Sequence, residues 1–275
     1  MSRGHGRVGD PPPLPEPLAV PVLDSHAHLD LMGVDVDEAL VAARSVGIDT
    51  VVQVGVDLAS SRWSAEVAGR YDDVHAAVAI HPNEAGRGAA DDEALREIEA
   101  LAALPQVKAV GETGLDFFRT ETPEGHRLQE ASFRAHIAIA KRTGTTLVIH
   151  DRDAHDDVIR VLLEEGAPDR VVFHCYSGDA AMARTCAEHG WFMSFAGPVT
   201  FKANDDLREA VAVAPAELLL VETDAPFLTP MPFRGRPNAP YLVPLTVRSM
   251  ATVRAADLDE LCGAIAANGR RAFAL

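Results

Sequence analysis

Short apolar, β-branched runs alternate along this chain with segments of helical period. The runs are VLDSH (22–26), IDTVVQVGV (48–56), VHAAVAI (74–80), VKAVGE (107–112), TTLVIH (145–150), RVVFHC (170–175), WFMSF (191–195) and ELLLVET (217–223). Between them lie segments such as DVDEALVAARSVG, DDEALREIEALAAL and the long PEGHRLQEASFRAHIAIAKRTG. Runs that are apolar throughout, rather than alternating, mark strands covered on both faces, as in a parallel sheet flanked by helices. Eight such strands predict an α/β protein built as a (β/α)8 TIM barrel over residues 22–275. A doubly wound open sheet is the alternative. It would bind its ligand at a switch in strand order, and the GxGxxG that often marks one is missing. Residues 1–21, MSRGHGRVGDPPPLPEPLAVP, break the alternation. Rich in Gly and Pro and lacking an uninterrupted apolar stretch, they are expected to form a disordered tail rather than a secretory signal.

The ends of the runs carry the polar residues. The first ends in His26 and His28, the third is followed by His81, and the fourth ends in Glu112. The fifth ends in His150, the sixth reaches His174, and the last leads into Asp224. In a (β/α)8 barrel all strand C-termini open on one face, so residues distant in sequence converge there. Taken singly, each has an ordinary reading. His26 and His28 could be turn residues, Glu112 and Asp224 helix caps, and His150 and His174 satisfied core histidines. Taken together, four histidines and two carboxylates at one barrel mouth make enough ligands for two divalent metal ions such as Mg, Mn or Zn. Glu112, from a middle strand, is the natural bridging carboxylate. Asp224 is both a candidate ligand and a candidate base for an attacking water. His126, His136, His155 and His189 fall in helical patterns and are expected to be solvated. Cys175 alternates with His174 and is expected to face the helices.

Charge and composition narrow the function. The formal net charge is −16, which argues against a broad basic surface for duplex DNA. A local grip on a few phosphates at a strand end remains compatible with it. Three unevenly spaced cysteines imply no disulfide framework. No apolar run is long enough to span a bilayer. The expectation is a cytoplasmic protein with no membrane association, and a monomer by default.

In order along the chain, SHAHLD, IHP, GETGLDFF, IHDRDA, HCYSG, SFAGPVTF and ETDAPFLTP resemble the TatD family of metal-dependent hydrolases, within the amidohydrolase superfamily. The resemblance runs from about residue 22 to Phe273. It implies a barrel hydrolase described as a deoxyribonuclease, often a 3′–5′ exonuclease, with some relatives assigned to D-aminoacyl-tRNA deacylation. It implies His26, His28, Glu112 and Asp224 around one ion, and Glu112, His150 and His174 around the other. His81 would then lie near the substrate phosphate. PFRGRPNAP (232–240) resembles the family's RGKxNxP loop, which makes Arg234 and Asn238 candidates for substrate contact. The C-terminal NGRRAF departs from the family's NxxRLF at Ala272, and Gly269 weakens that helix.

These readings combine into one expectation. A metal-bound hydroxide attacks a phosphodiester of DNA or another nucleic acid, and Asp224 orients or deprotonates the water. Arg152, Lys202 or Arg234 would hold a neighbouring phosphate. The alternative keeps the metals and changes the bond, to a carbonyl substrate such as an aminoacyl ester, amide or lactone, because loops rather than ligands select the substrate.

Overall fold

The computed structural model describes residues 9–275. Eight strands form one all-parallel sheet in sequential order, as the alternation predicted. They are β1 (Val22–Ala27), β2 (Ile48–Val54), β3 (Val74–Val78), β4 (Val107–Asp116), β5 (Thr146–Arg152), β6 (Val171–Phe173), β7 (Phe192–Phe195) and β8 (Leu219–Val221). The helices are α1 (Val36–Ser45), α2 (Leu58–Ala68), α3 (Pro82–Ala85), α4 (Asp92–Ala102), α5 (Pro123–Thr143), α6 (His155–Glu165), α7 (Ala180–Glu188), α8 (Asp205–Val213), α9 (Val243–Arg254) and α10 (Leu258–Phe273). Closure comes just past β8. The Asp224 amide donates to His26 O at 2.9 Å, and the His28 amide donates to Ala225 O at 2.7 Å. Buried Asp24 reinforces the seam by accepting from the Thr223 amide at 2.9 Å and the Thr223 hydroxyl at 2.5 Å.

Two strands carry an irregularity where the site needs one. On β1, Asp24 pairs with Val51 and Ala27 with Gln53, so three residues oppose two. On β4, Val110 pairs with Leu147 and Thr113 with Ile149, again three against two. Such bulges re-aim side chains and are common beside active sites. Here they fall at His26 and at Glu112.

Helix ends follow local chemistry. Asp35, Asp57, Asp91 and Asp179 cap their helices through side-chain acceptors. The last helix keeps its full length despite Gly269. A Cβ at residue 269 would lie 1.6 Å from Leu23 Cδ2, so glycine lets α10 approach β1. Ala272 and Phe273 are both fully buried, so the departures in NGRRAF seat the helix rather than loosen it.

Two expectations are corrected. The tail was expected to be disordered as far as residue 21. Instead residues 10–18 lie against the barrel: carbonyls of Asp10, Pro11, Pro12 and Pro17 accept from Arg236, Tyr241 and Arg248, and Leu18 is buried. The expectation for residues 1–8 lies outside the described residues. His136 is not solvated but fully buried on α5. The Ile80 amide donates to its Nε2 at 3.1 Å, so Nδ1 carries the proton and donates to Ser132 O at 2.8 Å. A second ring proton would meet the Ile80 N–H, and burial pushes the His136 pKa down to about 4.

That histidine makes stability depend on pH. Its folded pKa lies below the unfolded value of 6.5, so between about pH 4 and 6.5 the unfolded chain binds the extra proton. The contribution is complete above pH 6.5 and is lost as pH falls through 4, a span of about 3 kcal/mol. Urea unfolding of wild type and His136→Asn between pH 7.5 and 4.5 checks this. Wild type should lose stability more steeply on acidification, and parallel curves would contradict the assignment.

Candidate active site

The structure brings all six proposed ligands together at the C-terminal mouth of the barrel. His26 lies on β1 and His28 just beyond it, Glu112 on β4, His150 on β5, His174 just after β6, and Asp224 after β8. Glu112 sits at the centre and splits its carboxylate between two clusters. Its Oε1 faces His26 Nε2 at 3.6 Å and His28 Nε2 at 3.5 Å. Its Oε2 faces His174 Nε2 at 2.9 Å and His150 Nδ1 at 3.1 Å. Asp224 Oδ1 completes the first cluster, 3.5 Å from His28 Nε2 and 3.9 Å from His26 Nε2. The two Nε2 atoms of the HxH pair are 3.3 Å apart. The His26 and His174 rings stack at 3.8 Å.

Hydrogen bonds on the far side of three of the rings set which nitrogen faces inward, while His26 Nδ1 is buried without a partner among the described residues. His28 Nδ1 lies 3.0 Å from Val54 O, which can only accept, so Nδ1 carries the proton and Nε2 presents a lone pair. His174 Nδ1 donates to Glu222 Oε1 at 3.1 Å, which leaves Nε2 as the inward lone pair. His150 is turned round: Nε2 donates to Asp116 Oδ2 at 3.2 Å, and Nδ1 faces the site. Carboxylates and backbone carbonyls in these positions orient metal-binding histidines and fix their tautomer. Lone pairs and carboxylate oxygens aimed at common points repel one another unless positive charge lies between them.

The ring pKa values show the same demand for positive charge between these groups, met by a second ring proton where no cation is bound. Burial alone would lower the His28 pKa, but its bond to Asp224 and the charges of Glu112 and Asp224 raise it to about 9. His174 is raised well above its ordinary value against the same burial penalty, through Glu112 and Glu222. Glu112, although buried, is held far below the usual carboxylate range, chiefly by His174. The donor set therefore fits divalent cations. Among the described residues, three groups of side chains bring their ligand atoms within 4.8 Å of one another: His26, Glu112 and His174; His26, His28 and Asp224; His81, Glu112 and His150.

His81 differs from the others. It caps α3, and its Nδ1 accepts from the Asn83 amide at 3.0 Å. Burial pushes its pKa down to about 3, so the ring is neutral with its proton on Nε2. That N–H lies 3.7 Å from Glu112 Oε2. A nitrogen carrying a proton is a donor rather than a ligand.

The outer residues divide. Arg152 ends β5 with its guanidinium 3.9 Å above the exposed Phe118 ring. Arg234 lies 4.4 Å above Phe201. Lys202 is exposed on the loop after β7. Asn238, expected to contact substrate, is 2 % exposed and fully engaged. Its amide donates to Thr223 O at 2.9 Å and to Phe227 O, and its Oδ1 accepts from the Ala239 amide. It ties the loop after β8 together, and substrate has no free polar atom to meet there.

Cys175 also departs from expectation. The strand ends at Phe173 and Cys175 has φ +42°, so strand alternation no longer aims its thiol at the helices. Its amide donates to Glu222 Oε1 at 2.8 Å. Burial, with the charges of Glu222 and Asp224, pushes the thiol pKa far up, so it stays protonated. Sequence reasoning missed Asp116 and Glu222. A period-two signal was present, since Asp116 follows Glu112 by four residues and Glu222 precedes Asp224 by two.

A closed parallel barrel with clustered histidines and carboxylates at its C-terminal mouth has the form of a metal-dependent hydrolase. Residues 23–274 match the family model described as TatD related DNase, and the chain belongs to the TatD family. It is 46% identical over 261 residues to an uncharacterized metal-dependent hydrolase TatD of Mycobacterium tuberculosis, covering 92% of this chain and 98% of that one. It is 34% identical over 250 residues to a 3′-5′ ssDNA/RNA exonuclease TatD of Klebsiella pneumoniae, covering 88% and 92%. The crystal structure of the TatD homologue YjjV from Escherichia coli superposes with a TM-score of 0.85 at 25% identity, covering 92% of this chain and 98% of that one. Among the described residues no helix is long and apolar enough to cross a membrane.

Proposed function

We propose that this protein hydrolyses phosphodiester bonds at the 3′ end of single-stranded nucleic acid. Two divalent ions would be held by His26, His28, Glu112 and Asp224 on one side and by Glu112, His150 and His174 on the other. The observation that carries this reading is the Glu112 carboxylate, whose two oxygens face two separate sets of inward lone pairs. When bound, paired divalent ions neutralise charge on a phosphoryl group and lower the pKa of a coordinated water.

The chain's own residues do the rest. Asp224, its pKa lowered by its bond to His28 despite burial, remains ionised and can take a proton from the attacking water. Neutral His81 offers Nε2–H to a non-bridging phosphate oxygen. Glu112 and Asp224, with Asp116 and Glu222 behind His150 and His174, carry four formal negative charges, which two divalent ions would balance at the mouth of an acidic protein. At the rim, Arg152 on Phe118 and Arg234 on Phe201 pair a cation with a ring face. Arginine and aromatic rings together suit an unpaired strand, whose phosphates need charge and whose bases need a surface to stack on. The K. pneumoniae relative, named for ssDNA/RNA exonuclease activity, supports the same choice.

The test is cleavage of end-labelled single-stranded DNA by EDTA-stripped protein with Mg, Mn or Zn restored. Stepwise shortening from the 3′ end is the expected result. No cleavage with any metal, alongside turnover of an aminoacyl ester or lactone, would replace the reading with carbonyl hydrolysis. His81→Ala should lower kcat/KM for the oligonucleotide roughly a hundredfold, the usual cost of one transition-state donor. Metal content should stay unchanged. Loss of an ion in that variant would make His81 a ligand instead.

A further inference from the structure

We infer that the proline-rich segment 10–17 is a brace that orders the loop 229–238 after β8 and thereby positions Arg234 at the mouth of the site; the role given to Arg234 rests on the phosphodiester reading. Five of these residues are proline, which lacks an amide proton and leaves its carbonyl free to accept. Such a segment is also stiff, so little conformational freedom is lost when it is laid down. The segment uses its carbonyls on the loop after β8 and on the helical segment that follows it. Arg236 donates from Nε to Asp10 O at 2.8 Å and from Nη2 to Pro11 O at 3.1 Å. The Tyr241 hydroxyl donates to Pro12 O at 2.8 Å, and Arg248 Nη2 reaches Pro17 O at 3.2 Å. Leu18 anchors the far end, with its amide on Val46 O at 3.0 Å.

Arg236 is the knot between brace and loop. Its side chain holds the segment, while its own carbonyl accepts from Thr229 Oγ1 at 2.6 Å, closing the loop across its base. Asn238 pins the same loop to Thr223 and Phe227, next to Asp224. The Met231 amide on Thr200 Oγ1, at 2.8 Å, holds the loop to the turn that carries Phe201. Arg234 is two residues from Arg236 and is itself exposed. No hydrogen bond or ion pair fixes its guanidinium among the described residues beyond the stacking on Phe201. Its position therefore depends on the order of the loop beneath it. Arg236 acts through that loop and is a positioning residue, without contact to the reacting atoms.

Three variants test this: deletion of residues 1–12 with a new initiator Met, Arg236→Met, which keeps the stem and removes the donors, and Arg236→Lys, which keeps the charge. Hydrogen–deuterium exchange over 229–238 is read with bound metal, and with kcat and KM for a single-stranded oligonucleotide and for bis(p-nitrophenyl) phosphate, a diester too small to reach Arg234. The deletion and Arg236→Met should exchange faster in this loop, with metal content and small-diester turnover unchanged. Oligonucleotide KM should rise about tenfold, the weight of one charge-assisted hydrogen bond, while kcat holds. Arg236→Lys should recover part of the loss. Unchanged exchange in both variants would overturn the brace. Faster exchange with unchanged oligonucleotide KM would overturn its part in substrate binding. If wild type cleaves no phosphodiester, the proposed function falls, and the exchange result still decides the brace.

Discussion

Glu112→Gln is expected to abolish metal-dependent hydrolysis and to leave the barrel folded. Each oxygen of this carboxylate serves one cluster, and both sit within 3.7 Å of ring nitrogens. An amide keeps the shape and one acceptor, but it replaces the other oxygen with an NH2 group that has no lone pair to offer a cation. It also removes the charge that raises His174 and His28. On the proposed two-ion reading, the bridging position would be lost for both ions at once. Loss of about 5 kcal/mol of transition-state stabilisation corresponds to roughly three to four powers of ten in kcat/KM. Elemental analysis after dialysis should find fewer than two ions per chain. Circular dichroism should match wild type, since the site contributes little to the apolar core. Near-normal turnover with both ions retained would remove Glu112 from the centre of the chemistry.

Gly114→Ala should be the most damaging single methyl group near the site. Gly114 pairs with His150 across β4 and β5 and has φ +137°, a backbone region that side chains rarely enter. A Cβ there would lie 2.1 Å from His150 O, a backbone atom that cannot turn aside. The two strands must part, stretching the contacts of Glu112 and Asp116 to His150. Overpacking and backbone strain together cost about 4 kcal/mol. For a chain of this size that lowers Tm by roughly 10 °C. Scanning calorimetry with metal titration checks both halves, the fall in Tm and weaker metal binding. An unchanged Tm with full metal loading would mean that β4 can shift freely, against the register observed.

The barrel was readable because its strands are buried on both faces and therefore continuously apolar. Such a run needs no long-range information to be recognised. The six ligand-type residues were readable for a related reason, since parallel strands all end on one face and a polar residue at a strand's C-terminal end must arrive there. Finer placement was not readable. Counting by twos puts His26 with His28, but the bulges on β1 and β4 insert a residue and reset the count. Cys175 was misjudged because β6 stops two residues earlier than its apolar pattern suggests. His136 sits in a helix that looks amphipathic, and only the neighbouring Ile80 amide reveals that its ring is an acceptor in the core. Asn238 looked available in a Gly/Pro-rich loop, yet that loop needs its amide to satisfy carbonyls that would otherwise be buried without a donor.

By itself the sequence determined the layer order, the eight strands, the family motifs and the ligand types at the barrel mouth, because each depends on local period and on which end of a strand a residue occupies. The tertiary structure alone decided which nitrogen of each histidine faces inward, that Asp116 and Glu222 hold two of those rings, that His81 is a donor, and that residues 10–18 lie on the loop after β8. These depend on partners far apart in the chain, and a hydrogen bond between distant residues leaves no period in the sequence.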